Sequence, residues 1–211
     1  DGESIGVSMG MTLHNVAKTK RAFPKDNHYM FVPIIGGISP TTVNNVDVQS
    51  NQIAREYAEK FGGTYTQFLA PALFSEKRVK EYFLKEKTVN FIFDDFQKLD
   101  TIVMGIGATS TSTDSTLIQG GYITSDETKA LIENGVAGNV ALQFFDKEGN
   151  TEKFQAFNER VAGMSQDMMK RVRNRIGIGG GADRADAIKG AIKGGFINIL
   201  ITNNACAEKL L

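Results

Sequence analysis

Five stretches rich in Gly, Ser, Thr and Asn recur along this 211-residue chain, each at the end of an apolar run. Ser8-Met9-Gly10-Met11-Thr12 follows Ile5-Gly6-Val7, and Ile35-Gly36-Gly37-Ile38-Ser39 closes the run that starts at Tyr29. Gly105-Ile106-Gly107-Ala108-Thr109 follows Thr101–Met104 and continues into Ser110-Thr111-Ser112-Thr113. Gly177-Ile178-Gly179-Gly180-Gly181-Ala182-Asp183-Arg184 opens a helical pattern, and Thr202-Asn203-Asn204 ends the last apolar run. Glycine lets a backbone approach an anion and point several N–H groups at it, and a helix N-terminus adds partial positive charge. Hydroxyls supply neutral donors, and Arg184 would supply a fixed cation in a first turn. Any one such stretch is explained by an ordinary strand-to-helix turn. The set together suits a polar, anionic ligand the size of a sugar phosphate.

Nucleotide readings fit less well. Gly177-x-Gly179-x-x-Ala182 matches the dinucleotide fingerprint, but the acid that should end the next strand is replaced by Thr202-Asn203-Asn204. No G-x-x-x-x-G-K-[ST] is present, which argues against a nucleoside triphosphatase. Nor does a catalytic constellation stand out. His14 and His28 have no companions at metal-ligand spacing, and Cys206 sits among Ala205, Ala207 and Leu210 as a buried thiol would. Asp94-Asp95 falls between Phe93 and Phe96 in a helical stretch, Asp146-Lys147-Glu148 reads as a polar turn, and Lys170–Arg175 reads as a basic helix end. No catalytic residue, metal ligand or cofactor is expected.

The elements that must position these stretches alternate between strand and helix. Strands are expected at Ser4–Ser8, Tyr29–Ile35, Thr64–Leu69, Thr101–Met104, Arg175–Ile178 and Phe196–Ile201. Helices are expected at Thr12–Lys20, Val48–Phe61, Glu76–Lys85, Val89–Leu99, Arg184–Lys193 and Ala205–Leu211, and at Ser125–Glu133 with Ser125 as its cap. Val140–Phe145 and Glu152–Phe157, joined at Lys147–Gly149, form an expected β-hairpin. The pattern predicts an α/β, Rossmann-like fold: a mostly parallel sheet with flanking helices and a small hairpin element. Ligands of such sheets sit beyond the carboxyl ends of the strands, where the Gly/Ser/Thr stretches fall.

Length allows one domain, residues 1–211. Lys+Arg and Asp+Glu are both 24, so no net positive field draws this segment onto nucleic acid. One cysteine excludes an internal disulfide and fits a cytoplasmic setting, and no apolar run reaches membrane-span length. The chain begins at Asp1 without a signal peptide and is expected to be a segment of a longer protein.

Taken in order, these loops resemble the C-terminal effector-binding domain of the SorC/DeoR family of bacterial sugar-binding transcriptional regulators. The likeness rests on Ile5–Leu13, Phe31–Ile38, Gln49–Ala54, Leu69-Ala70-Pro71, Gly105-Ile106-Gly107, Phe144–Gly149 and Gly179-Gly180-Gly181 through Ile188, and it covers nearly the whole chain. It implies a fold related to ribose-phosphate isomerases and CoA transferases, with sensing in place of catalysis. It further implies a phosphorylated sugar effector, a homo-oligomer (dimer or tetramer), and DNA contact only through an N-terminal helix-turn-helix domain absent from these residues. A sugar-phosphate isomerase or deaminase on the related fold is the alternative. By position, Ser8, Gly10, Met11 and Thr12 resemble the family's phosphate cradle, and Gly180, Gly181, Asp183 and Arg184 its second anion-binding turn. Gln49 and Asn139 fall where relatives contact the sugar, Gly107 and Thr109 flank another wall, and Ile35 and Gly36 line the pocket. Deoxyribose-phosphate regulators carry a lysine where Ile35 stands and glycolytic bisphosphate regulators an arginine. An isoleucine can neither form an imine nor pair with phosphate, so neither effector carries over directly.

Overall fold

The computed structural model describes residues 2–21, 23–24, 28–38, 48–108 and 123–211. Among these residues eight strands form one sheet system: β1 (Ser4–Val7), β2 (Tyr29–Pro33), β3 (Gly63–Tyr65), β4 (Thr101–Ala108), β5 (Val136–Val140), β6 (Gln143–Asp146), β7 (Asn174–Ile178) and β8 (Ile199–Ile201). Six of them are parallel, in the order β3-β2-β1-β4-β7-β8. β4 is the long strand. Thr101–Gly105 pairs in parallel with β7, while Ile106–Ala108 runs past the sheet to pair antiparallel with β5.

The helices are α1 (Met11–Ala17), α2 (Ser50–Phe61), α3 (Lys77–Phe83), α4 (Lys87–Asn90), α5 (Ile92–Phe96), α6 (Ser125–Glu133), α7 (Gln155–Asn158), α8 (Gln166–Arg171), α9 (Ala185–Lys193) and α10 (Asn204–Leu210). α2 forms because Ile53, Tyr57 and the small Ala54 and Ala58 fall on one stripe, which packs on Val7 and Phe31. α9 buries Ala187, Ile188 and Ala191 against Ile102, Met104 and Ile106 on the opposite sheet face. Successive β4 residues thus point to opposite faces, as strand geometry requires.

The fold class read from the sequence is present. Four local expectations are corrected. The hairpin pairs Val136–Val140 with Gln143–Asp146, and its turn is Ala141–Leu142, both at positive φ (47° and 61°). Such a turn usually carries Asn-Gly; here both residues are buried in the core, and packing sets the turn. The expected second hairpin strand is instead a helical turn at Glu152–Phe154 followed by α7. α6 is capped by Thr124 rather than Ser125: the Glu127 amide donates to Thr124 Oγ1 (3.1 Å) while Thr124 N donates to Glu127 Oε2 (2.8 Å). Val89–Leu99 is not one helix; Phe91 separates α4 from α5. β3 stops at Tyr65 and β8 begins only at Ile199, so both edge strands are shorter than expected.

Candidate ligand site at the carboxyl ends of the strands

β1 and β4 are neighbours from which the sheet order runs in opposite directions, toward β2 on one side and β7 on the other. The crevice at such a reversal is where open α/β sheets take ligands. Two consecutive residues of β4 tie its rims together. The Gly105 amide donates to Ser8 Oγ (3.2 Å) from the loop after β1, and the Ile106 carbonyl accepts from Arg184 Nη1 (3.3 Å) in the loop after β7.

On the β1 rim, Ser8 is fully committed to the protein. It is 1% exposed, its amide donates to the Val103 carbonyl (3.1 Å), and its hydroxyl donates to the Met9 carbonyl (3.3 Å). The Gly10 amide is held by the Val48 carbonyl (2.9 Å). Beyond them the first-turn amides of α1 have no carbonyl one turn back to bond, as at any helix start. Thr12 is half-buried and its hydroxyl has no partner among the described residues, while the Met11 side chain is exposed.

On the β7 rim, Gly181 opens the helical turn Ala182–Arg184 at φ +108°, a conformation that favours glycine. Its amide donates to Asn203 Oδ1 (3.2 Å), which also accepts from Cys206 N (3.1 Å) and so caps α10. Gly180 lies under the same Asn203 side chain, and Asp183 is exposed. Arg184 is half-buried and pairs with no carboxylate among the described residues. Gly107 faces Asn139 across the β4–β5 register, so closely that a Cβ on Gly107 would stand 2.7 Å from Asn139 Nδ2. The Asn139 amide has no side-chain partner among the described residues.

The third group of sequence-selected residues is structural in this conformation. Ile35 is 0% exposed within the main core, and its carbonyl accepts from Ser50 Oγ (2.6 Å). The Gly36 amide donates to the Ala162 carbonyl (2.9 Å). Gln49 clamps Ile38, its Oε1 accepting from the Ile38 amide (2.7 Å) and its Nε2 donating to the Ile38 carbonyl. Asn51 on Phe68 and Asn158 on Phe144 repeat that device. Thr109 lies outside the described residues.

The structure therefore brings Ser8, Gly10, Thr12, Gly107, Asn139, Gly180, Gly181 and Arg184 to one edge around β4, and turns Ile35 and Gly36 inward. Sequence reasoning placed Asn203 in the last strand-end stretch but did not assign its role as a helix-capping Asn directly before α10 that also holds Gly181. Thr202 of the same stretch follows β8 with its Oγ1 buried and without a hydrogen-bond partner among the described residues. Of the other singled-out residues, Cys206 adjoins this edge through its amide on Asn203. His14 Nδ1 is 3.2 Å from Glu56 Oε2 between α1 and α2, and Cys206 is buried. Arg175 bonds the carbonyls of Lys170, Val172 and Gly195, closing the end of α8.

Groups with displaced pKa values also lie elsewhere. Burial pushes the Tyr57 hydroxyl up, beneath α1, and burial lowers Lys80 on α3. For Glu127, burial alone would raise the carboxyl, but bonds from Arg160 and Thr124 outweigh it and hold it below the usual range. Among the described residues no cluster of three or more His, Cys, Asp or Glu is placed to hold a metal, and no helix is long and apolar enough to cross a membrane.

The chain is similar to known proteins over its whole length. A family model described as "Putative sugar-binding domain" matches residues 1–211. The deoxyribonucleoside regulator of Bacillus subtilis is 27% identical over 212 aligned residues, covering 100% of this chain and 65% of its own length. A solved domain of a possible sugar-binding transcriptional regulator from Arthrobacter aurescens superposes with a TM-score of 0.83 at 26% identity, covering 100% of this chain and 79% of that one. A DeoR family transcriptional regulator from Listeria monocytogenes shares the fold, with a TM-score of 0.86 at 24% identity over 99% of this chain and 79% of its own. The chain spans 62–65% of the length of such curated relatives.

Proposed function

The chain belongs to the family of sugar-binding domains of transcriptional regulators, and from that premise we propose that it senses a phosphorylated sugar at the strand edge around β4. The observation that carries this reading is Arg184: a half-buried guanidinium at the sheet's reversal point, bonded to one carbonyl and facing no carboxylate among the described residues. A cation held there favours an anionic group. The Thr12 hydroxyl and the Asn139 amide, which have no side-chain partners among the described residues, supply neutral donors suited to sugar hydroxyls or phosphate oxygens. Met11, Gly180, Gly181 and Asp183 shape the rims, and Thr109 is proposed as a further wall. Ile35 and Gln49 act by holding the loop after β2 in place rather than by touching the ligand. In the longer protein a helix-turn-helix domain would bind the operator, and effector binding would change assembly of the oligomer; the setting is cytoplasmic.

Thermal shift tests the reading. Phosphorylated sugars raise the melting temperature, the corresponding free sugars do not, and Arg184→Ala reduces the shift strongly while Thr12→Ala reduces it slightly. No shift with any phosphosugar would sink the proposal. Turnover of a pentose or amino-sugar phosphate by the purified chain would replace it with an enzyme.

A further inference from the structure

The segments that follow β1, β2 and β3 are all fastened to α2. At its start, Gln49 and Ser50 bond the segment after β2, and Asn51 bonds Phe68 after β3. Further along, Glu56 and Tyr57 take hold of α1, the helix that follows β1. Glu56 is the one charged side chain buried among the described residues, at 9% exposed. His14 Nδ1 lies 3.2 Å from its Oε2, and Lys18 Nζ lies 3.2 Å from its Oε1. Gln52, one turn back on α2, donates to Oε1 as well (3.3 Å). The Tyr57 hydroxyl donates to the Leu13 carbonyl (3.1 Å).

Apolar packing would not do what this carboxylate does. α1 buries one residue fully, Leu13, and apolar contact is non-directional, so it resists turning and sliding of the helix only weakly. A carboxylate taken out of water costs stability unless it is paired and hydrogen-bonded, and a well-packed apolar side chain at position 56 would avoid that cost. What the charge adds is geometry. His14 and Lys18 stand about one turn apart on α1, and both are tied to one group on α2. The two ties set the rotation and height of α1, and with them the place of Thr12, two residues before His14. We propose that Glu56 is a positioning residue for the effector, acting by holding α1 where Thr12 meets a phosphosugar. The inference rests on the phosphosugar reading and gives that site a determinant on a second helix.

Calorimetry on variants tests it. Ribose 5-phosphate, fructose 6-phosphate and glucosamine 6-phosphate are screened by thermal shift, and the one with the largest effect is titrated. Glu56→Gln, which keeps the size and removes the charge, is expected to bind it about 2- to 10-fold more weakly, up to the value of the one neutral hydrogen bond it controls. Lys18→Ala changes an exposed side chain and is expected to show a smaller part of the same loss. Neither variant should weaken binding further once Thr12 is alanine, because residues acting through one contact do not add. Hydrogen exchange gives the local readout: α1 amides should exchange faster in Glu56→Gln while those of β4 keep the parent rates. Parent-like affinity in both variants overturns the proposal and leaves Glu56 a structural pair. An equal loss in the Thr12→Ala background overturns it too, because the effect then bypasses α1. If Glu56→Gln does not fold, Lys18→Ala, alone and combined with Thr12→Ala, decides in the same way. A parent that binds no phosphosugar sinks the reading beneath the proposal and the proposal with it, whereas silent variants of a binding parent sink the proposal alone.

Discussion

At the turn after β1, the Ser8 hydroxyl, the Ser8 amide and the Gly10 amide all have protein partners, whereas the turn after β7 ends on a guanidinium bonded to a single carbonyl. Both turns are glycine-rich, both lie at the carboxyl edge, and both meet β4. Their chemistry differs. The first is a pin: Ser8 bridges β1 to Gly105 and closes the crevice floor, leaving only neutral donors at its outer side. The second is a charge held over that floor, with Asn203 fixing the glycines on which it stands. A loop rich in Gly and Ser can therefore serve an anion site in two ways, by shaping it or by charging it, and composition does not distinguish them.

The largest effect that would break this contrast is at Arg184. Arg184→Ala should weaken phosphosugar binding by about 1.5–3 kcal/mol, the range for a charge-assisted hydrogen bond, or roughly 10- to 150-fold by calorimetry. Its unfolding free energy in urea should stay within about 0.5 kcal/mol of the parent, because the side chain is only half-buried and answers no buried carboxylate. A variant that binds normally but unfolds early would reverse the assignment.

Ser8→Ala should do the converse. Removing its hydroxyl leaves the Gly105 amide without its partner in a site that is 1% exposed, at a cost of about 1–3 kcal/mol of folding stability. Affinity of the folded fraction should change by less than Arg184→Ala changes it. If Ser8→Ala abolished binding while melting normally, the β1 turn would be a ligand contact and not a pin.

Asn203→Ala comes third. Loss of an Asn cap costs about 0.5–2 kcal/mol, and here it also frees the Gly181 amide. The expected result is a modest fall in melting temperature with an affinity loss smaller than that of Arg184→Ala. Asn203→Asp, which keeps an acceptor for both amides, should restore stability; failure to do so would remove the capping account.

How much of this was readable beforehand depends on the distance over which each contact acts. β1, β2 and β7 were legible because each is a short local run with apolar residues, followed within three residues by Gly. Ala141–Leu142 was not, because its positive-φ geometry is set by burial among distant core residues rather than by turn chemistry. The turn expected at Lys147–Gly149 does exist, with Gly149 N bonded to the Asp146 carbonyl (2.9 Å), but it joins β6 to a helical turn instead of a strand. At the site, the loops themselves were visible as composition. The bonds that give them their roles, Ser8 to Gly105 and Arg184 to Ile106, span 97 and 78 residues and depend on a strand order no local pattern encodes. Ile35 shows the same limit: a resemblance puts it in a pocket, and the structure puts its side chain in the core.

The smallest expected effect is also the one that sharpens the contrast most. Thr12 is the only hydroxyl of the β1 turn left without a partner among the described residues, since Ser8 is bonded on both sides. If that turn only shapes the crevice, Thr12→Ala should be silent in both stability and binding. If the α1 start also receives a phosphate oxygen, the variant should lose about 0.5–1.5 kcal/mol of affinity, one neutral hydrogen bond, with stability unchanged. Thr12→Ser, which keeps the hydroxyl, should then bind like the parent. We expect the second outcome, because the hydroxyl belongs to the first turn of α1, whose amides have no carbonyl one turn back to bond, and α1 follows β1, the strand beside β4. Additivity with Arg184→Ala is the final check: two contacts on separate parts of one ligand should add within about 0.5 kcal/mol, whereas two contacts sharing a single phosphate should not.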